Sequence, residues 1–400
     1  MRFVKFVAVA VLAGLVASPA LAEKKYAPGI TDTEILIGQT EPYSGPLSGF
    51  STNGVADAAF AKMINDKGGI NGRKLRIISL DDGYNPAKTV EQIRKMVEQD
   101  HVAFIYRSLG TAGEIALQKY VTDNHIPQLM VGGGISRLVN PTKYPYTLPG
   151  TPIFKVEAHR YARYILEHQP NARIAVLAGD DDLGHDMLQG LKEILGDKYS
   201  KMVVATATYE FSDPTVDPQI LQLQASGADT FINLALGKFA SQAISKAYDS
   251  GWKPTQYLIS ISSLVGTTLK PAGFDKAKNI ISSMFWKDPL DPTWKDAPDV
   301  KAWNEWMDKY LPKANKSDFT YVGGYLFGSI LVHILQSCGD DLSREHIMHQ
   351  AATMHDVEVP LLLPGVTVNT TPTDYRLFRQ GRMERFDGSR WVMFGPLMTD

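Results

Sequence analysis

The chain has 400 residues, of which 44% are apolar and 21% are charged, and its formal net charge is −2 at pH 7. This composition is typical of a folded globular protein rather than a disordered one. A charge so close to zero gives no sign of a nucleic-acid partner. The length exceeds what one ordinary hydrophobic core organises, so two domains are expected.

The N-terminal residues 1–22 have the pattern of an export signal. Arg2 and Lys5 precede an apolar stretch at 6–16, and a small-x-small sequence ends at Ala22. The apolar stretch is too short to span a bilayer, so a transmembrane anchor is the weaker interpretation. We therefore predict cleavage after Ala22 and export of the remaining chain.

From about residue 30, short apolar runs alternate with segments of helical period. Strands are predicted at 35–37, 75–80, 102–106 and 128–131, and helices at 54–67, 86–99 and 112–124. Strands that alternate with helices in this way predict a parallel sheet that is covered on both faces.

The pattern restarts at Thr151, which is predicted to cap a helix with Pro152 in its first turn. The alternation then continues through 151–168, 173–177, 183–195, 202–207, 220–225, 230–234, 238–250 and 257–261. Two α/β units are thus predicted, at about 30–148 and 150–285. A connector at 287–299, two or three helices up to about residue 355 and a hairpin that turns at Asp387 and Gly388 complete the chain.

Signatures of catalysis are scarce. The sequence contains neither a Gly-x-Ser-x-Gly elbow nor a phosphate-binding loop that ends in Gly-Lys-Ser/Thr. His346 and His349 would share one helix face, but no acidic ligand stands at the spacing of a zinc protease, so an exposed helix face is favoured over a metal site. No catalytic residue, metal or cofactor is predicted.

Two further features have structural interpretations. Asp180, Asp181 and Asp182 lie where a strand ends and a helix begins, and the ligand spacing of a calcium loop is absent, so we expect them to stabilise the helix N-terminus. Cys338 is the single cysteine of the sequence and follows an apolar helical run. It is predicted to be a buried residue at a helix end rather than a catalytic thiol.

Two loops that follow strands are candidate binding elements, because ligands of open α/β sheets sit beyond the carboxyl ends of the strands. The first contains Arg107, which either pairs with a carboxylate or is solvated, and Thr111, which fits a capping box with Glu114. Helix-start amides attract anions, so capping and ligand contact by Thr111 both stay open. Gly134 and Ser136 end the next strand, where a plain loop is an equal alternative.

Several short motifs occur in a recognisable order along the chain. They are Glu41-Pro42-Tyr43-Ser44-Gly45-Pro46-Leu47, Lys67-Gly68-Gly69-Ile70-Asn71-Gly72, Asp81-Asp82 with Asn85-Pro86, and Gln336-Ser337-Cys338-Gly339-Asp340-Asp341-Leu342. In this order they resemble the branched-chain amino-acid-binding family, the type I periplasmic substrate-binding proteins of ATP-driven importers. The resemblance covers nearly all of the chain after the export signal.

The resemblance implies two doubly wound α/β lobes joined by a hinge of three crossovers, near 146–150, 285–287 and 357–361. The first lobe would comprise 30–148 plus 287–357, and the second 149–286 plus 358–400. The resemblance further implies a periplasmic monomer that closes on a small organic acid and docks on an inner-membrane ABC permease.

The resemblance also implies where the ligand is held. In the family, a hydroxyl residue at a helix start and another after the next strand hold the ligand carboxylate, while aromatic and second-lobe residues form the walls. Together with Arg107, the candidate ligand-binding residues are therefore Tyr43, Phe50, Thr111, Gly134, Ser136, Phe154, Leu236, Ser260 and Tyr325. For Tyr325, packing in the core is the alternative.

One departure from the family bears on the ligand. Amino-acid binders of the family place an acidic residue near 260–263 to meet the ligand ammonium, whereas this chain has Ser260-Ile261-Ser262-Ser263 there. An unpaired buried ammonium is costly, so a carboxylate on an apolar or aromatic body is favoured over a free amino acid. Binding of a branched-chain amino acid or amide, a ligand-sensing subunit and an exported enzyme are the alternatives.

Overall fold

The computed structural model describes residues 24–399, and the predicted export signal lies outside the described residues. The strands are β1 Lys25–Tyr26, β2 Glu34–Glu41, β3 Lys74–Asp81, β4 Phe104–Tyr106, β5 Gln128–Val131, β6 Thr147–Pro149, β7 Ile174–Gly179, β8 Val203–Tyr209, β9 Thr230–Asn233, β10 Thr255–Leu258, β11 Ile281–Met284, β12 Asp341–Leu342, β13 Gln380–Phe386 and β14 Trp391–Thr399.

The helices alternate with these strands as the sequence predicts. They are α1 Thr52–Asp66, α2 Pro86–Glu98, α3 Thr111–Asp123, α4 Phe154–His168, α5 Asp182–Leu195, α6 Tyr199–Met202, α7 Asp217–Ala225, α8 Lys238–Asp249, α9 Lys270–Ala272, α10 Phe274–Ala277, α11 Pro298–Tyr310, α12 Thr320–Ser337 and α13 Arg344–Ala351. Among the described residues, no helix combines the length and the apolar character that a membrane span requires.

The first lobe is built on a parallel sheet with the strand order β3-β2-β4-β5-β6. Side chains alternate between the two faces of a strand. Phe104 therefore packs with α1, α11, α12 and α13 on one face, and Ile105 packs with α2 and α3 on the other. Burial on both faces explains why the strands read as continuous apolar runs.

The second lobe repeats this plan and adds a hairpin. Its strand order is β14-β13-β11-β10-β9-β7-β8, in which β7 to β11 are parallel and β13 pairs antiparallel with β11 and β14. Val176 faces α4 and α5, while Leu177 faces α7 and α8. The prediction of two doubly wound α/β lobes is confirmed, and so is the terminal hairpin, in which Gly388 adopts φ 107°.

The boundary between the lobes differs from the expected one near the C-terminus. The prediction assigned 358–400 to the second lobe, with a crossover at 357–361. Leu361, Val368, Leu377 and Phe378 instead belong to the apolar core of the first lobe. Their burial there keeps the chain on the first lobe until β13, so the third crossover lies between Phe378 and β13, and only the hairpin joins the second sheet.

Two predicted helix caps are wrong. Thr111 does not cap α3, because Gly110 precedes the helix and Thr111 is its first residue, while the buried Glu114 carboxylate accepts a hydrogen bond of 2.6 Å from Gln128 Nε2. Thr151 does not cap α4, which begins at Phe154 after Ile153. Glu114 binds a residue of a neighbouring strand instead of capping its helix, and Thr151 belongs to the crossover rather than to the helix start.

Two other interpretations are confirmed. Asp181 caps α5, with its Oδ1 accepting a hydrogen bond of 2.8 Å from the Gly184 amide. Cys338 follows α12, is 4% exposed and donates from Sγ to the Ile334 carbonyl. Burial raises the pKa of its thiol to about 12, so the thiol is inert at neutral pH.

Asp181→Ala should lower the free energy of unfolding by about 1 kcal/mol, because it leaves a first-turn amide of α5 without its acceptor. Urea unfolding followed by circular dichroism measures the change. The matched control is Asp180→Ala, which removes only an exposed pair with His185 and should cost less than about 0.5 kcal/mol. Equal losses in both variants would contradict the cap.

The Cys338 thiol should not react with a water-soluble aromatic disulfide reagent in the native protein at pH 8. Burial blocks access, and the raised pKa leaves almost no thiolate. In concentrated guanidinium, one thiol per chain should react at once. Rapid reaction in the native state would show that the end of α12 opens readily.

Candidate ligand cleft

A cavity lies between the lobes at the carboxyl ends of their central strands. From the first lobe it is lined by Arg107 and Leu109 after β4 and by Gly132 after β5, and from the second by Ile261 after β10. Trp286 follows β11 and lies on the second crossover. This is the edge at which open α/β sheets bind ligands.

The lining of this cavity is mainly apolar and aromatic. A smaller pocket adjoins it and shares Thr151, Ile261, Trp286 and Phe319 with it; we call the two together the ligand cleft. The polar side chains of the ligand cleft are those of Asn53, Arg107, Thr151, Ser260 and Thr320, and its larger apolar ones are those of Phe50, Leu109, Met130, Phe154, Ile261, Met284, Phe285, Trp286, Phe319 and Phe327. No acidic residue is among the described residues that line it.

Arg107 is held in place by a buried ion pair. Its Nη1 lies 2.5 Å from Asp57 Oδ1, its Nη2 donates to Asn53 Oδ1 at 3.2 Å, and its guanidinium carbon lies 4.8 Å from the centre of the Phe327 ring. Although burial alone would lower it, the Asp57 carboxylate raises the pKa of Arg107, so the guanidinium stays charged. The cleft therefore contains a cation whose charge is already compensated.

A second buried acid, Glu41, lies beside this pair. Glu41 ends β2, is fully buried, and lies close enough to Asp57 to interact with it electrostatically. Burial, and then the Asp57 carboxylate, raise the pKa of Glu41 well above its usual range. Burial thus disfavours the ionised form of Glu41, while Asp57 has Arg107 as its partner.

Thr151 contributes a hydroxyl group at the first crossover. Its Oγ1 is buried and has no hydrogen-bond partner within residues 24–399. The crossover packs directly on the loop after β5, where a Cβ on Gly134 would lie 2.3 Å from the Pro152 carbonyl oxygen and 2.5 Å from Thr151 Oγ1. Glycine at position 134 therefore permits the close approach that places Thr151 in the cleft.

Four of the ten predicted ligand-binding residues line the ligand cleft. Phe50 and Arg107 line the cavity, and Phe154 and Ser260 line the adjoining pocket. Ser260 is held by a buried acid, because its amide and hydroxyl donate to the Glu157 carboxylate at 2.6 and 2.5 Å. Contact of any of these residues with a ligand stays a prediction.

The other six lie outside this lining. Tyr43 is 37% exposed and bonds Ser79, and Tyr325 packs against Phe60 and Trp306 in the first core. The amide and hydroxyl of Ser136 donate to Asp186 on α5 at 2.9 and 3.0 Å. The remaining three, which are all buried, are Thr111, Gly134 and Leu236.

Sequence reasoning missed Glu157, Thr151 and much of the aromatic lining. Glu157 supplies an acid beside Ser260, but it comes from α4, about a hundred residues earlier in the chain, and it is 2% exposed. Phe319 and Phe327 are eight residues apart, with Gly323 midway, so all three share one helical face that borders the cavity. This spacing of four residues in the sequence could have indicated that the two rings lie on the same side of α12.

The lobes contact each other across the cleft. The Gly266 amide of the second lobe donates to Asp318 Oδ1 of the first at 3.0 Å, and the Ser136 bonds to Asp186 form a second contact. One apolar cluster contains Leu47 and Phe50 of the first lobe together with Phe154 of the second. The ligand cleft is thus an interlobe space rather than a surface groove.

The two histidines with metal-like spacing do not form a centre with other ligands. His346 Nε2 lies 3.3 Å from Gln350 Nε2, and the rings of His346 and His349 stack with centres 6.1 Å apart. Within residues 24–399, no three side chains of His, Cys, Asp or Glu come together as metal ligands.

Known proteins share this fold and part of the sequence. The Leu/Ile/Val-binding protein homolog 7 of Brucella abortus (strain 2308) is 20% identical over 231 residues, which is 56% of this chain and 57% of that protein. The chain thus matches little more than half the length of that relative.

Two solved structures have the same fold at low identity. A branched chain amino acid ABC transporter protein from Thermus thermophilus with bound valine superposes with a TM-score of 0.83 and 15% identity over 93% of this chain and 98% of that one. An ABC transporter solute binding protein from R. palustris in complex with benzoate has a TM-score of 0.76 and 16% identity over 92% and 98%.

A family model described as periplasmic binding protein matches residues 34–388, which is most of the chain. Together with the two lobes and the interlobe cleft, this match establishes that the protein belongs to the type I periplasmic binding proteins, in the branched-chain amino-acid-binding family.

Proposed function

We propose that the protein is the periplasmic solute receptor of an ABC importer and that it captures a small carboxylic acid with an apolar or aromatic body. The observation that carries this proposal is the composition of the ligand cleft. Aromatic rings dominate its walls, Arg107 and Thr151 supply polar hydrogen atoms, and no acidic residue is among its described lining.

The carboxylate end of the ligand would meet Arg107 and Thr151. A guanidinium recognises a carboxylate well, because its planar N–H groups match the two oxygens. The Thr151 hydroxyl has no partner within residues 24–399 and would donate to the same group. Because Asp57 already compensates the charge of Arg107, we expect the affinity to depend on several hydrogen bonds rather than on one strong ion pair.

The body of the ligand would pack against the rings of Phe50, Trp286 and Phe327. Such walls favour flat or branched apolar groups, whose burial is the main source of binding free energy in concave sites. Two proteins of the same fold, one with bound valine and one with bound benzoate, support a site for a branched or an aromatic body.

An α-amino acid fits this cleft less well. Its ammonium group is attached to the carbon that bears the carboxylate, so it would lie beside Arg107 and Thr151, where the lining provides no acid. Burying an ammonium group without a partner is costly. Glu157 is not available as a partner for the ammonium group, because Ser260 and Tyr161 already donate to its carboxylate.

Closure of the lobes would couple binding to transport. A ligand shifts a hinge equilibrium only as far as it binds one form better than the other. The ligand cleft has walls from both lobes, so a ligand contacts all of them only in the closed form. The inner-membrane permease would then receive the closed form and release the ligand chemically unchanged.

Aromatic and branched apolar acids should raise the melting temperature of the purified protein more than α-amino acids do, because a ligand that binds only the native state stabilises it. A thermal-shift screen with benzoate, phenylacetate, isovalerate, valine and leucine measures this. Shifts with valine or leucine alone would contradict the acid preference. Conversion of the ligand, seen when it is recovered from the complex, would contradict the receptor role.

Thr151→Ala should weaken binding of the best acid in that screen by about 1–3 kcal/mol, because it removes a buried hydrogen bond to a charged group. Calorimetric titration measures the change. Thr353→Ala, at an exposed site outside the ligand cleft, is the control and should leave the affinity unchanged. Thr111→Ala tests the hydroxyl that the sequence resemblance assigns to the ligand carboxylate. Weaker acid binding in this variant but not in Thr151→Ala would show that the carboxylate binds at the start of α3 instead.

A further inference from the structure

A second, smaller pocket lies beside the second crossover. We call it the hinge pocket, and its walls include Trp286, Asp288, Phe319, Glu384 and Trp391. Phe319 comes from the first lobe, Glu384 and Trp391 come from the hairpin of the second, and Trp286 and Asp288 come from the crossover itself. The hinge pocket shares Trp286 and Phe319 with the ligand cleft, but it contains the acids that the ligand cleft lacks.

Two carboxyl groups border the hinge pocket with unused hydrogen-bonding capacity. Glu384 on β13 is 2% exposed, and its Oε1 has no hydrogen-bond partner within residues 24–399. Asp288 accepts one bond of 2.9 Å, from the Leu290 amide to Oδ1. A buried polar oxygen without a partner is unfavourable, so a donor at this position would stabilise the protein.

The charged groups around the hinge pocket do not supply that donor. Lys316 also lines it, but its Nζ lies 2.6 Å from Asp308 Oδ1 and 3.0 Å from Asn304 Oδ1. Arg390 pairs with Asp291 at 3.0 Å. Glu157, which is itself a buried acid, also lies near enough to Glu384 to influence its pKa.

Aromatic rings form much of the remaining wall. Trp286 and Trp391 are buried, and the Trp391 Nε1 is already engaged, because it donates to the Ser263 carbonyl at 2.8 Å. The faces of such rings attract cations through their quadrupoles, and most strongly so in desolvated sites. Carboxyl groups with indole and phenyl rings therefore select a cation rather than an anion or a neutral group.

The size of the hinge pocket narrows the class of cation. Its volume is ≈ 30 Å³, which is room for about two water-sized groups. An aminomethyl group fits this space, whereas a quaternary ammonium does not. A bare metal ion is disfavoured, since hard cations require six or more oxygen ligands and rings occupy much of the wall.

We propose that the hinge pocket binds a primary ammonium group, held between the carboxyl groups of Asp288 and Glu384 and the rings of Trp286, Phe319 and Trp391. Its walls come from both lobes and from the crossover, so occupancy would favour the closed form. This site is independent of the carboxylate assigned to the ligand cleft. A single solute that filled both would be an acid with an amine on a separate branch, not an α-amino acid.

Binding should depend on pH. Burial raises the pKa of Asp288 to about 6, and burial together with Asp288 and Glu157 raises the pKa of Glu384 well above its usual range. The acids are protonated and neutral at low pH, so they attract a cation only after they ionise. Affinity for the amine should rise about tenfold from pH 5 to pH 7 if one group with pKa about 6 controls it, and binding near pH 6 should release protons.

The test is calorimetric titration of the full chain with ethylammonium chloride, with ethanol and sodium chloride at matched ionic strength as controls. We expect saturable heat with ethylammonium only, and an enthalpy that depends on the ionisation heat of the buffer. Glu384→Gln with Asp288→Asn should lower the affinity at least tenfold at pH 7. Asp275→Asn, which removes an exposed acid of α10, should not change it.

Equal heats with ethylammonium, ethanol and sodium would overturn the proposal, and so would an unchanged affinity in the double variant. The proton release is measured on the unaltered protein, so the test stands even if the variant folds poorly. Binding of the organic acid is titrated in the same samples. If the protein binds the acid but not the amine, the proposal for the hinge pocket alone is wrong. If it binds the amine but not the acid, the ligand proposed for the cleft is wrong.

Discussion

The antiparallel bridge between Trp286 and Leu362 constrains how the two lobes are joined. The Lys287 amide donates to the Leu361 carbonyl at 2.7 Å, and Asp299 binds both the Lys287 ammonium group and the Leu361 amide. Backbone that is paired in this way cannot change its dihedral angles without losing those bonds. A rotation of the lobes that kept these bonds would fall on the first and third crossovers and would leave Trp286 against the first lobe.

Trp286 is a common wall of the ligand cleft and the hinge pocket, and the charged groups on its two sides differ. Behind the lining of the ligand cleft, the nearby buried acids already have partners inside the protein: Asp57 pairs with Arg107, and Glu157 accepts from Ser260. In the hinge pocket, Glu384 keeps an oxygen without a partner within residues 24–399. The proposed preference for an anion in the ligand cleft and for a cation in the hinge pocket thus depends on which side of the Trp286 ring the available acids lie.

The sequence predicted the architecture because its signals are local and repeated. Buried strands of both sheets read as apolar runs, helices show their period, and Asp181 caps its helix through a neighbour three residues away. The expected third crossover was wrong, since nothing local shows that residues such as Phe378 are buried against Phe285 and Phe327, about a hundred and about fifty residues earlier in the chain.

The binding residues were harder to predict for the same reason. Glu114 has the spacing of a capping residue, yet its partner is Gln128 on a strand. Ser136 has the chemistry of a ligand contact, yet Asp186 of the other lobe takes its hydroxyl and amide. Residue type and spacing indicate which groups a side chain can bind. The partner that it actually binds comes from distant segments of the chain, which only the fold brings close.

The polar contacts that join the lobes, Asp318 with Gly266 and Ser136 with Asp186, have a kinetic consequence. When the lobes part, water replaces each of these partners, so each of these hydrogen bonds to an aspartate favours the closed form by about 1.5–3 kcal/mol. These contacts therefore favour the closed form even in the ligand-free protein. In the proposed import cycle, their strength would set how often a permease that recognises only the closed form meets an empty receptor.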